Sequence, residues 1–287
     1  MAFWNRGRKA TLDPRMAAWQ GYGFCGHHPY ALSTSNAVET WPDFLLMLGH
    51  MCTMWVVLWY VSFALTRRFV LPLLPRSSVE HENRTVYVSQ KFVATAKALL
   101  VSYWANVAVY QTWVSAEEHN ELTQNVAAEI AGGYFTSFEI VDLVLGSLHG
   151  LMEKEYVVHH SLHIVLGILI RGLCSLSPIA CILMSQETSS LFLSYFLLLR
   201  HRTNHWSTIA AFVLFVVAFT FYRLGLNTYG TIRYLLNYRE HAEGILPLLP
   251  LHGIAAVLLL AMVLQWYWGF FIYMNLYRKA TGSKKEE

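Results

Sequence analysis

Three histidines occur within five residues of an apolar stretch of the chain, as His159, His160 and His163. An imidazole can act as a general base toward an amine or a hydroxyl group, or it can attack a thioester itself. Successive residues of a helix point about 100° apart, so the second and third histidines are predicted to share one edge of a helix. We therefore take His159 and His160 as candidate catalytic residues, with His163 as a polar residue beside them.

Acidic side chains in the neighbouring segments are candidate partners for these imidazoles. Glu139 and Asp142 precede the histidines, and Glu187 follows them. A carboxylate beside a histidine fixes its tautomer and stabilises the imidazolium ion, so we take all three acids as candidate catalytic residues. Arg223 is a further polar residue for the same site. The alternative interpretation is structural, because polar contacts between membrane helices contribute about 0.6 to 2 kcal/mol and these side chains could simply join helices.

The composition of the chain indicates a membrane protein. Of its 287 residues 55% are hydrophobic and 15% aromatic, and only 14% are charged. An average soluble domain has about 25% charged residues. Partners are therefore expected among membrane lipids, acyl chains and membrane proteins, and no nucleic-acid partner is expected.

Seven apolar segments come near the roughly 20 residues that a helix needs to cross a bilayer. The predicted fold is therefore all-α, a polytopic bundle of about seven transmembrane helices. The third to fifth segments carry the histidines and acids; a charge at mid-membrane costs roughly 2.5 to 3.5 kcal/mol, so these groups should line one interior cavity. Lys97 and His149 are expected at the bilayer interface instead. The predicted segments are Phe44–Leu65, Phe92–Val114, Val126–Leu148, Val157–Leu173, Leu176–Leu199, Trp206–Tyr222 and Pro250–Tyr273.

The chain divides into one membrane domain and two short ends. Residues 1–43 form a basic and aromatic arm, residues 44–275 the transmembrane domain, and residues 276–287 a charged tail. The tail ends in Lys284-Lys285-Glu286-Glu287, which resembles a dilysine signal for retrieval to the endoplasmic reticulum. The endoplasmic reticulum is therefore the expected location, with another organelle membrane as the alternative.

Four short motifs occur in an order that is similar to the TLC-domain family, over about residues 44–275. The resemblance implies six helices around a lipid-accessible cavity, with one additional N-terminal helix. The family includes ceramide synthases, which transfer a fatty acyl group from coenzyme A to a sphingoid base. The two aspartates of that branch are missing from residues 182–190, so the non-ceramide-synthase branch is favoured. The motifs are Gly133-Tyr134-Phe135, His159-His160, the run from Glu187 to Leu193 followed by Arg200, and the run from Phe219 to Arg223.

This resemblance leads to three functional hypotheses. The first is a protein that binds or handles lipids and affects membrane lipid composition. The second is an acyltransferase that uses acyl-coenzyme A as a substrate and the histidine pair as its catalytic group, with no bound cofactor. The third is a structural or accessory subunit of a membrane protein complex, with the N-terminal arm as a docking surface.

A metal site is a separate hypothesis. The spacings His159-His160-x-x-His163 and His201-x-x-x-His205 suit ligands on a helix, and neutral imidazole binds iron or zinc. Membrane di-iron enzymes use three histidine boxes, whereas this chain offers two, and the order within the first is reversed. No metal ligands are therefore assigned.

Overall fold

The structure is a computed structural model that describes residues 41–73, 84–114, 126–173, 177–199, 205–242 and 248–281. All regular secondary structure in these ranges is helical. The α-helices are α1 Trp41–Leu65, α2 Arg84–Val114, α3 Val126–Leu148, α4 Lys154–Leu173, α5 Ser177–Ser185, α6 Glu187–Leu199, α7 Trp206–Ala218, α8 Asn227–Ala242 and α9 Leu248–Thr281.

These helices form seven rods, one for each apolar segment that the sequence predicts. Helix α1 continues through a π-helical turn and a 3₁₀ turn to Leu73, and α5 joins α6 at Gln186. A π-helical stretch, Phe219–Leu226, joins α7 to α8. Five stretches of helix are long and apolar enough to cross a membrane: Phe44–Val70, Arg84–Tyr110, Ile179–Leu199, Trp206–Leu236 and His252–Arg278. The prediction of an all-α polytopic membrane bundle is confirmed.

The outside of the bundle is apolar, which is what a hydrocarbon environment requires. Large hydrophobic side chains are exposed along most rods, among them Leu46, Leu99, Val213, Leu236, Val263 and Phe270. The interior instead holds small residues that allow close helix approach, and the α2–α3 interface contains Ala105, Ala108, Ala127 and Ala131. Small residues favour this packing because in lipid the helices associate through close contact rather than through exclusion of water.

Helix α1 packs against the outside of α3 through two buried tryptophans. The ring of Trp55 meets Phe138 edge to face, with 5.4 Å between ring centroids. Its indole N–H donates a hydrogen bond to Ser137 Oγ at 3.0 Å. Trp59 stacks on His149 in the turn after α3, at 5.1 Å between centroids. The first rod therefore supports α3 from the side, and α3 carries two of the candidate acids.

A tight turn and one close contact fix α4 against α3. Gly150, between the two helices, has φ of +67°, a left-handed conformation that glycine adopts without the steric cost of a Cβ atom. Further along, a Cβ atom placed on Gly167 would collide with the side chain of Thr136. The two helices thus approach each other closely on the side where the histidines meet the acids.

Adding a methyl group at this contact is expected to destabilise the bundle. Gly167→Ala should lower the free energy of unfolding by about 1 to 3 kcal/mol, because Thr136 has to move to admit the Cβ atom. Gly253→Ala is the matched control: a Cβ atom there meets nothing within 4 Å, and alanine should raise stability by up to about 1 kcal/mol through helix propensity. Thermal unfolding in detergent micelles measures both, and equal melting temperatures would contradict the close contact.

Candidate functional site

The seven predicted site residues lie on four rods of the bundle. Glu139 and Asp142 are on α3, the three histidines on α4, Glu187 at the start of α6, and Arg223 in the π-helical stretch. Six of them are buried, and His159 is half-buried. The structure therefore brings these side chains to the same part of the fold, although they are spread over 85 residues of sequence.

Lys97 on α2 lies at the centre of the site, and sequence reasoning missed it. Its ammonium group is 3.1 Å from Glu139 Oε1 and 2.6 Å from Glu187 Oε2. The rings of Phe135 and Phe138 also face it, with centroids 5.0 and 4.8 Å away. The side chain is only 6% exposed and stands halfway along the membrane-length stretch Arg84–Tyr110. The expectation of an interfacial lysine is therefore wrong, because two buried carboxylates on other helices bind this cation.

His160 is held by oxygen acceptors at both ring nitrogens. Its Nδ1 is 2.8 Å from the backbone carbonyl oxygen of Tyr156, and its Nε2 is 3.0 Å from Asp142 Oδ2. Asp142 Oδ1 in turn accepts a hydrogen bond from Gln90 Nε2 at 3.0 Å. A carbonyl oxygen and a carboxylate both accept, so two donated hydrogen bonds require the imidazolium form of His160. In this form the ring has no free lone pair and cannot act as a base.

Counting charges supports this form of His160. Lys97 and Arg223 supply two positive charges, and the three carboxylates supply three negative ones. A protonated His160 makes the buried cluster neutral, and neutrality matters because an unbalanced charge in an apolar interior is costly. Glu139 Oε2 is 3.3 Å from His160 Nε2 without forming a hydrogen bond, since that N–H points to Asp142.

His163 and His159 have different surroundings from His160. The Nδ1 of His163 lies 2.8 Å from the carbonyl oxygen of His159, so it carries the proton and leaves the lone pair on Nε2. The ring of His159 forms no hydrogen bond with any described residue. It instead contacts the rings of His163 and Trp268, with centroids 4.1 and 5.1 Å away. These two imidazoles are therefore the ones available to a ligand.

Arg223 anchors the other side of the site. Its Nε donates to Ser189 Oγ at 2.7 Å and one Nη to Ser190 Oγ at 2.8 Å, both on α6. The second Nη donates to Gln265 Oε1 on α9 at 3.2 Å, and the guanidinium is 3.8 Å from Glu187 Oε1. The arginine is buried, so it does more than mark the end of a membrane span. Single π-helical turns are frequent at functional sites, and this π-helical stretch presents the guanidinium to α6.

The metal hypothesis gains no geometric support from the part of the chain that the structure describes. No group of three or more histidine, cysteine, aspartate or glutamate side chains there is arranged to hold a metal ion. His205 caps α7 instead, where its Nδ1 accepts a hydrogen bond from the backbone N–H of Ser207 at 3.3 Å. His201, its partner in the proposed histidine box, lies outside the described residues, as do residues 1–40 of the N-terminal arm and residues 282–287 of the charged tail.

Comparison with known proteins identifies one domain family. A family model described as the TLC domain matches residues 80–274, which include α2 to α8 and most of α9. No curated protein sequence matches the chain. The match and the membrane-length helices make this an integral membrane protein related to lipid metabolism or sensing.

Removal of the central cation is expected to destabilise the fold strongly. Lys97→Met keeps the length of the side chain but leaves Glu139 and Glu187 buried without their partner. Breaking a buried ion pair in this way costs about 3 to 5 kcal/mol of unfolding free energy. The measurement is thermal or denaturant unfolding of the purified protein in detergent, with the exposed Lys154→Met as control.

A compensating variant tests whether the unpaired carboxylates cause this loss of stability. Adding Glu139→Gln and Glu187→Gln to Lys97→Met removes the stranded charges, so the triple variant should recover part of the lost stability. If Lys97→Met unfolded at the same temperature as the Lys154→Met control, the ion pairs of Lys97 would not stabilise the fold.

Proposed function

The chain belongs to the TLC-domain family, and from that membership we propose that it binds membrane lipids at the half-buried imidazole of His159 and thereby affects membrane lipid composition. The supporting observation is that this ring has no hydrogen-bonding partner among the described residues. A polar ring in an apolar environment is costly unless it is hydrogen-bonded. An oxygen of a lipid headgroup or an acyl carbonyl supplies that bond.

The surroundings of His159 suit a lipid. Tyr156 and Trp268 lie beside it, with 6.3 Å between the centroids of their rings, and both combine an apolar ring with a hydrogen-bond donor. Tyr156, three residues before His159 and on the same face of α4, is 39% exposed on the outside of the bundle. A lipid in the surrounding bilayer therefore reaches this face without crossing a layer of protein.

The ion-pair cluster has a supporting role in this proposal. The hydrogen bond of His160 to Asp142 on α3 fixes the orientation of α4. Because His159 is the next residue, its ring has a fixed direction as well. A site held by rigid helices can distinguish lipids by shape and by the position of their oxygen atoms.

Lipid retention tests this proposal. Native mass spectrometry of protein purified from membranes in mild detergent should detect bound lipid, and His159→Leu should reduce the bound fraction about tenfold through loss of the hydrogen bond and of the ring contacts. His50→Leu, an exposed histidine on α1, is the matched control and should retain lipid. Equal retention by the two variants would remove His159 from the binding site.

Acyl transfer is the second candidate function, and the geometry of His163 favours it. Its Nδ1 proton is fixed by the carbonyl of His159, so the free Nε2 can accept a proton from an incoming amine or hydroxyl group. The nucleophile then bonds to the acyl carbon of a thioester such as acyl-coenzyme A. The carbon–sulfur bond breaks, and the proton passes from the imidazole to the thiolate.

Acyl transfer by the purified protein tests the second candidate function. With acyl-coenzyme A and a sphingoid base, His163→Gln should lower the rate at least about 100-fold, since general base catalysis typically contributes that much. His50→Gln should leave the rate unchanged. Absence of acyl transfer by the wild-type protein with amine and alcohol acceptors would reject this candidate and leave lipid binding in place.

A further inference from the structure

Two buried amide groups near the site make no hydrogen bond through their nitrogen atoms. Gln186 is 3% exposed at the break between α5 and α6, and Asn227 is fully buried at the start of α8. The Nε2 of the glutamine and the Nδ2 of the asparagine lack a partner among the described residues. The Oδ1 of Asn227 accepts a hydrogen bond from Thr231 Oγ at 3.3 Å, which directs the NH₂ group elsewhere. Both groups are donors without an acceptor.

The two amides lie in the same stretch of one helix interface. On one side of them Arg223 donates to Ser189, and on the other side a Cβ atom on Gly230 would touch Ile182. Gln186 stands four residues after Ile182 and three before Ser189. Asn227 likewise stands four residues after Arg223 and three before Gly230. Residues at these spacings share one helix face, so the amides face the same interface at the same level of the bundle.

The two amides lie at the same height along the bundle axis as His163. Leu166 on α4 packs in one cluster with Leu183 on α5. His163 precedes Leu166 by one turn, and Gln186 follows Leu183 by one turn. Because α4 and α5 run in opposite directions, the imidazole and the amide come to the same height. The amides and the imidazole of His163 therefore lie at one level of the bundle.

The charge balance around the amides selects the chemistry of their partner. The partner must be a hydrogen-bond acceptor, because both free groups are N–H donors. The neighbouring ion-pair cluster is already neutral, so a carboxylate or a phosphate would bring an uncompensated charge into an apolar interior. A neutral carbonyl oxygen accepts from both amides without this cost.

We infer that Gln186 and Asn227 bind the carbonyl oxygen of an ester-linked or amide-linked acyl chain. The inference rests on the proposed lipid binding and narrows it to a class of lipid. Neutral acyl lipids are recognised by their carbonyl group, whereas ether-linked lipids with the same chains lack the acceptor. Free fatty acids are disfavoured by their charge.

A pair of glycerolipids that differ only in the carbonyl groups of their two chains tests the inference. Full-length protein in lipid nanodiscs is offered dioleoylglycerol and its dioleyl ether analogue, and binding of each is measured by native mass spectrometry. The wild-type protein should prefer the ester about tenfold, the effect of one or two hydrogen bonds. The double variant Gln186→Met with Asn227→Leu should bind both lipids equally, and the exposed control Asn275→Leu should keep the preference.

The outcomes separate this inference from the proposed function. Equal binding of ester and ether by the wild-type protein would overturn the inference, and it would indicate that water satisfies the amides, while lipid binding at His159 would stand. A preference that survives in the double variant would overturn the assignment to these residues. Loss of the preference in the double variant, with a melting temperature no lower than wild type, supports it. The wild-type comparison needs no variant to fold.

Discussion

The pairing of Lys97 with Glu139 and Glu187 is the interaction on which the rest of the site depends. An ammonium group halfway along a membrane span is tolerated only where carboxylates bind it, and each carboxylate in turn needs the cation. The three residues come from α2, α3 and α6. Their mutual requirement fixes these helices at one height and in one rotation, which hydrophobic packing alone does not do in lipid.

Once these helices are fixed, three similar histidines acquire different properties. His160 meets Asp142 and the carbonyl of Tyr156, and its two hydrogen bonds hold it as a structural cation. His163 receives one backbone acceptor and retains one free nitrogen. His159 faces the aromatic rings at the edge of the bundle. The difference arises from which neighbours each ring meets, and it leaves free ring nitrogens on His159 and His163 but not on His160.

The same constraint relates the ion-pair cluster to the amides of Gln186 and Asn227. In the inferred site, a neutral cluster beside the amides favours a neutral partner such as a lipid carbonyl. Arg223 joins the cluster to α9, since its guanidinium is 3.8 Å from Glu187 Oε1 and donates to Gln265 Oε1. Its place in a π-helical stretch gives the bundle a polar centre that reaches from α2 to α9.

The sequence by itself determined the class of protein, the seven helical rods and the identity of most site residues. Apolar segments of membrane length are a local property, and rare charges within them stand out. The sequence did not determine the role of Lys97, because the partners of this lysine lie 42 and 90 residues away. Its position near one end of the predicted span Phe92–Val114 suggested the bilayer interface instead. Nor did the sequence distinguish the three histidines. Only the tertiary structure decided these points: Asp142 on α3 gives His160 a second acceptor, whereas His163 has only a carbonyl of its own helix and His159 has no acceptor among the described residues.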